Sequence, residues 1–450
     1  MRRLRNAFAT LKQYPSAVGG LAVIALLIAL SIYAVISIPH DKAVFLWRGS
    51  EDVWAENPKY APPVWINLFR SDKLPETVVR DTADIPDKEQ EAISSTIART
   101  TATLEFEYPY KYFPNEITIF FDGDYSTRAP QAALTWITPD GREIRLKTVS
   151  ATRNGRYSVG TDRELERVTF GGVRPAIGLF ADPGTLHDPK PAVLQGTYKL
   201  RVQMTTFEEG STGDAKLVVF GQVAGLAGTD HRRRDLTVGL LWGAPIALSF
   251  GLLAAVGATA ISFVIAGIGT WYGGWIDAAI QRITEVNMQL PFLPILILLG
   301  TFYTSSIWLL LAVIVALSIF GAQIKTYRAM FMQVKNSPYI EAARAYGAGN
   351  FRIITRYMIP RIAPVLIPGF VISIPTYVFL EASLALLGLG DPTLPTWGKM
   401  LNDAYDNGAL YKGYYWWVME PAVLLVVTGL AFSMLGFALD RVFNPRLRGL

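Results

Sequence analysis

Apolar residues in this chain come in runs too long and too continuous for a soluble core. Residues 17–38 carry no charge over 22 positions, where a bilayer crossing needs roughly 20. Further uncharged runs cover 236–276 (41 residues), 286–324 (39 residues), and 362–380 and 421–439 (19 residues each). The 39-residue run is long enough for two crossings that turn near 301–306. The 41-residue run is interrupted by Gly243-Ala244-Pro245 and reads as an interfacial helix leading into one long span. The pattern therefore predicts about six transmembrane helices. Between the first run and the second the periodicity changes. Residues 102–108, 116–121 and 133–138 alternate as strands do, and Pro139-Asp140-Gly141 marks a hairpin into 143–147. Residues 196–203 and 215–220 read as closing strands. Short alternating strands separated by turns predict a β-sandwich of roughly 120 residues.

The expected fold is an α-helical multi-pass membrane protein with an inserted β-rich extracytoplasmic domain. Residues 1–38 form the N-terminus and first span. Residues 39–227 form the insertion, irregular over 39–100 and β-rich over 101–222. Residues 228–450 hold five more spans and a polar loop at 336–360.

Charge sets the orientation, because cytoplasmic loops collect Lys and Arg. With the N-terminus inside, the inner segments 1–16, 271–285, 325–361 and 440–450 hold 15 of the 17 basic residues outside 39–235, leaving Lys399 and Lys412 outside. Both termini are thus expected in the cytoplasm. The first run follows Arg2, Arg3 and Arg5, but it is longer than a signal-peptide core and no small-x-small cleavage site follows, so a retained anchor is expected. Residues 39–235 contain 28 of the 37 acidic residues against 25 basic ones, a local charge of −3, while the rest of the chain is +8. The net +5 comes from the inner face and does not point to nucleic acid. The absence of cysteine fits a domain without disulfides and says little about redox compartment.

The loop 325–361 has seven basic residues and one acid. Ser337-Pro338 is a helix start, with Ser as an N-cap and Pro in the first turn. Ala342, Ala343 and Ala345 favour helix and add little bulk, so another surface can come close to the backbone. Gly347 supplies a left-handed stop. Asn350 can cap a second short helix, 351–358, which Pro360 separates from the next span. Two short helices at an angle make a knob suited to a cleft on a soluble partner. The plainer reading is an amphipathic connection whose basic residues face lipid headgroups.

Glu341-Ala342-Ala343-Arg344-Ala345-Tyr346-Gly347, ending downstream at Ile359-Pro360, resembles the E-A-A-x3-G loop of ATP-binding cassette (ABC) importer permeases. Glu341, Ala342, Ala343 and Gly347 match position by position, with Arg344 inside the motif and Pro360 closing it. Tyr357 stands where Ile is usual, and Ile359 where Leu precedes the proline. The likeness continues in Gly228-Thr229-Asp230 with Arg234-Asp235, similar to G-T-D-x-x-G-R-D except that Arg233 replaces the glycine. Tyr272-Gly273-Gly274-Trp275-Ile276-Asp277, Trp397-Gly398 and the decapeptide from Glu381 to Gly390 also fit, as does Asn444-Pro445-Arg446-Leu447-Arg448 with Asn444 for the usual Asp. Together they resemble the second permease of the oligopeptide-importer pair in the dipeptide, oligopeptide and nickel family. They cover 228–450 and the first span, and say nothing of 39–225.

The resemblance implies a permease subunit that forms a translocation path, most often for peptides, in a bacterial-type plasma (inner) membrane. It implies a second permease, two ABC ATPase subunits and an extracytoplasmic solute-binding protein as partners, with the loop docking the ATPases. On the insertion the resemblance is silent; docking the binding protein or capping the pore is expected of it, with contact to the envelope as the alternative. No G-x4-G-K-[S/T] phosphate loop is present, so ATP and Mg are expected in the partner ATPases and no cofactor in this chain. His40, His187 and His231 are scattered without metal spacing, and no nucleophile–base set is legible; no metal site and no catalysis are expected. The competing class is an ATP-independent channel or a membrane-anchored β-domain scaffold.

Other residues keep two readings each. Glu381, about 30 Å up its helix from Arg361, is a candidate for the gate or translocation path, or a structural residue, solvated or paired to a neighbouring helix. Asp277 and Glu285 are solvated or partner-facing, or else line a substrate site. The small residues Gly251-x3-Ala255 and Ala254-x3-Ala258 pack inside the bundle or against a second permease. Trp416-Trp417 anchor the interface. Arg232-Arg233-Arg234 suits anionic headgroups or an acidic partner.

Overall fold

Where apolar runs give way to alternation, the chain also divides in space. The computed structural model describes residues 14–443 apart from Ser50, Asp87, Ser95 and Ser305. The chain forms two compact units, one made of the segment up to Arg48 together with the chain from Val238 onward, the other of Gly49–Thr237. These limits differ from a division at 38/39 and 227/228. His40–Arg48 is a helix whose Ala43 and Trp47 are buried in the helical unit, because Trp47 fills the space left by Gly239. At the other end Thr229, Asp230 and Arg234 are buried in the β unit.

The β unit consists of two antiparallel sheets among the described residues. One has the order β1 (Val78–Asp81), β9 (Thr212–Phe220), β4 (Glu116–Asp124), β7 (Gly155–Ser158). The other runs β2 (Glu89–Ala92), β3 (Ala98–Tyr108), β8 (Gly196–Thr206), β5 (Gln131–Ile137), β6 (Glu143–Ser150). Alternation places Leu104, Phe106, Trp136, Tyr198 and Leu200 of one sheet against Ile117, Ile119, Phe121 and Leu217 of the other in one core, as a sandwich requires. Phe180, from the loop before β8, sits 4.5 Å from Tyr198 and 4.6 Å from Tyr108, ring centre to ring centre. Residues 39–100, read as irregular, contain a helix, β1, β2 and the start of β3. β1 pairs with β9, more than a hundred residues away, a partner that local pattern does not reveal.

Among the described residues the helical unit has four helices long and apolar enough to cross a membrane, and up to six if each of two bent pairs counts as one span. The long helices are α1 (Pro15–Ser37), α3 (Leu236–Tyr272), the helix containing α9 (Ile359–Leu384), and α11 (Tyr415–Phe443); α2 is His40–Arg48. The bent pairs are α4 (Gly274–Gln289) with α5 (Phe292–Phe302) at 74°, and α6 (Ile307–Ile319) with α7 (Ala322–Lys335) at 46°. The 39-residue run thus holds two short apolar halves, each continued by a more polar helix. Gly243-Ala244-Pro245 does not break α3, which runs unbroken for 37 residues. Small residues set the contacts. A Cβ on Gly251 would lie 2.6 Å from Val378 and 3.0 Å from the Ile374 carbonyl of α9, and Ala254, Ala255 and Ala258 are buried, so this stripe packs inside the bundle. Trp397, at the start of α10 (Trp397–Asp406), lies over Gly243 and donates its indole N–H to Leu240 O at 3.0 Å. Trp417 is fully buried within the protein.

Candidate functional site

Helix α8 (Pro338–Ala345) carries the loop motif. Pro338 occupies its first turn, where a missing N–H costs nothing. Ser337 has the extended backbone of an N-cap, but its hydroxyl donates back to Gln333 O at 3.3 Å and caps nothing. The helix has two faces. Ile340 and Ala343 are buried with Trp271, Phe331, Ile353, Ile354 and Met358. Glu341, Ala342, Arg344 and Ala345 are exposed, and beyond the helix end Tyr346 and Phe351 are 92% and 79% exposed. Gly347 takes φ of 74° and its N–H bonds Arg344 O at 2.9 Å, while Ala348 N–H bonds Ala343 O at 3.0 Å. This is a left-handed stop of the kind the sequence predicts.

The second half of the loop is not a separate helix. Asn350–Arg352 starts after Gly349 as N-cap, not Asn350, and runs through a π-helical stretch, Ile353–Met358, directly into α9. Pro360 lies in the first turn of α9 and does not separate it from what precedes. The widened turn takes up the missing donor, so the loop is rigidly continuous with a span.

Three residues that motif reading passed over, Lys335, Trp271 and Arg328, complete the site. Lys335 donates to Thr270 O and Trp271 O at 2.7 and 3.0 Å. Arg344 stands over the Trp271 ring, Cζ to centroid 4.4 Å. Arg328 forks Asp277 at 2.8 and 2.5 Å, so Asp277 is tied to α7 rather than solvated. The adjacent Gly273-Gly274 pair and a basic residue closing a polar helix are the sequence signals that could have found them. Beside them is a cavity of ≈ 200 Å³ lined by Thr270, Asp277, Arg328, Lys335 and others. In the β unit, polar grooves of ≈ 430 and ≈ 610 Å³ lie along β4, β7 and residues 52–59, and several of their charges pair with one another, as Lys216 does with Glu56 and Asp81.

Residues 247–449 match the family described as binding-protein-dependent transport system inner membrane component. Over 224 residues the chain is 33% identical to a dipeptide transport system permease protein of Bacillus subtilis (strain 168), covering 49% of this chain and 68% of that one. The chain belongs to this inner-membrane permease family. A glutathione transport system permease protein of Shigella sonnei is 32% identical over 225 residues, covering 49% of this permease and 72% of the relative. The family match holds the whole loop motif and leaves the β unit outside it.

Elsewhere in the permease, Glu381 is 4% exposed among Phe250, Ile307, Leu310, Leu384 and Leu389. It is therefore not solvated, and its Oε1 has no hydrogen-bond partner among the described residues. Glu285 is ion-paired to Arg282 at 3.3 Å. Arg233 and Arg234 are not a surface patch: Arg234 bonds Asp230 at 2.6 Å, and Arg233 bonds Glu116 at 2.8 Å, both from buried positions. The terminal motif Asn444-Pro445-Arg446-Leu447-Arg448 and the basic residues Arg2, Arg3 and Arg5 lie outside the described residues.

Proposed function

We propose that this chain is one permease subunit of an ATP-driven importer, with both termini in the cytoplasm of a bacterial-type cell. It pairs with a second permease and takes cargo from an extracytoplasmic solute-binding protein. Peptides are the favoured cargo, on the strength of the dipeptide and glutathione relatives. ATP and Mg are used by two partner ATPases, and this chain contributes shape and coupling. One observation carries the reading: α8 offers a small-residue face with Glu341, Ala342 and Arg344 exposed, backed by a buried core around Ile340. Such a face admits close approach of another backbone. Closure of the ATPases would push on α8, and the unbroken connection into α9 would carry that push into the membrane.

The test is gentle purification of the tagged chain from native membranes, with mass spectrometry of what accompanies it. An ATPase that co-purifies with the wild type and is lost from Glu341→Arg supports the reading. A wild type that retains no ATPase in several mild detergents sinks it and favours an ATP-independent channel or scaffold.

A further inference from the structure

Helix α8 touches the membrane helices at a second place, away from its own continuation into α9. Helix α3 ends at Tyr272, where Gly273 and Gly274 take φ of 65° and 55° and turn the chain into α4. The final carbonyls of α3 lose their helical donors there. Lys335, the last residue of α7, supplies a replacement by donating its ammonium to Thr270 O and Trp271 O at 2.7 and 3.0 Å. A cation at that end also complements the helix dipole. The Trp271 side chain is 7% exposed and packs in the same cluster as Ile340 and Ala343 of α8. The Arg344 guanidinium covers its ring at 4.4 Å, within cation–π range. One residue thus meets α8 with its ring and the end of α7 with its carbonyl. The bidentate Arg328–Asp277 pair then fastens α7 to α4.

We infer that Trp271, clasped between Arg344 and Lys335, is the positioning residue that carries displacement of α8 into the α3 span. This rests on the coupling role proposed above for α8. A stiff helix of 37 residues moves as a lever when one end is displaced, and its far part is packed on α9 through Gly251. Motion at α8 would therefore reach two contacting spans at once, α9 through the chain and α3 through this clasp.

The cysteine-free chain allows a clean test. Spin labels at Leu252→Cys on α3 and Val423→Cys on α11, both exposed sites, report their separation by double electron–electron resonance. The sample is the purified complex in lipid nanodiscs, with and without ATP and vanadate. The expected result is an ATP-dependent shift in the wild-type background that is lost in Trp271→Leu and largely restored in Trp271→Phe, which keeps an aromatic face. The ATPase should co-purify equally with all three. Lys335→Met serves as a second variant, expected to weaken the shift, should Trp271→Leu fail to fold by thermal melting. A full shift in both Trp271→Leu and Lys335→Met overturns the inference, and so does a wild type in which α3 does not respond to ATP. A wild type that holds no ATPase is a separate result, the failure of the importer reading itself.

Discussion

Arg233 stands where the related permeases' signature has a glycine, yet its backbone still takes φ of 65°. An L-residue in that region costs roughly 1 kcal/mol. The guanidinium offsets this by bonding Glu116 and Asn57 O at 2.8 and 2.6 Å and lying 4.3 Å over the Phe220 ring. A turn that glycine makes for steric reasons is here made by a side chain with somewhere to go. Glu208 shows the same economy on the surface. Its carboxylate accepts the Thr127 hydroxyl and the backbone N–H groups of Ser126, Thr127 and Arg128. These bonds hold it down, from 4.5 to about 2. A carboxylate with a depressed folded-state pKa stabilises above its unfolded value and loses that contribution as pH falls through the folded one. Protection factors for amide hydrogen exchange at 126–128, taken against the intrinsic rate at each pH, should therefore be high above about pH 4.5 and fall between there and about pH 2. In Glu208→Gln the protection should be weaker at neutral pH and insensitive to acid over that window. Equal protection in the two proteins at pH 7 would show that the carboxylate is not what holds the turn.

At the scale of elements, the loop works through its ends. Gly347 stops α8 in a left-handed conformation, with open space where a Cβ would be. Substitution there meets no clash, so Gly347→Ala should cost only the backbone term, about 1 kcal/mol. The loop would still form but would fray, and retention of the ATPase on a column should fall while the thermal stability of the chain changes little. Unchanged retention would place the stop outside the docking element. The π-helical stretch Ile353–Met358 explains how a proline can follow without a break. Its widened turn lies just before Pro360 and takes up the donor that the proline lacks.

For the whole molecule, the proposed sidedness follows from counting each bent pair as one span. An even number of crossings would return the chain to the side where it began, and the basic segments argue that this side is the cytoplasm. Without native cysteines, single replacements report location directly. In intact cells, Val168→Cys, 79% exposed in the β unit, should react with a membrane-impermeant maleimide. Tyr346→Cys, 92% exposed beside α8, should react only after the membrane is opened. The reverse pattern would invert the topology and put α8 out of reach of any cytoplasmic ATPase.

The membrane class, the two-sheet unit and the position of the loop motif were legible in the linear chain. Each depends on a local or periodic property: apolar length, alternation, and an alanine-rich helix closed by glycine. What the chain alone could not settle are the pairings. The loop's second helix reads as separate because proline usually marks a boundary, but the structure absorbs it in a π turn. The triple arginine reads as surface charge, but Glu116 and Asp230 bury two of its members. Glu381 reads as a gate residue or as a structural one, solvated or paired, and only the structure shows the five apolar residues from other segments and its own that enclose it. The contacts of Trp271, Lys335 and Arg344 join residues far apart in sequence. Sequence determines which segments enter the bilayer and which form sheets, because hydration of the backbone and side chains acts on each segment by itself. Only the tertiary structure decides which charge meets which, because that depends on how helices distant along the chain come to pack.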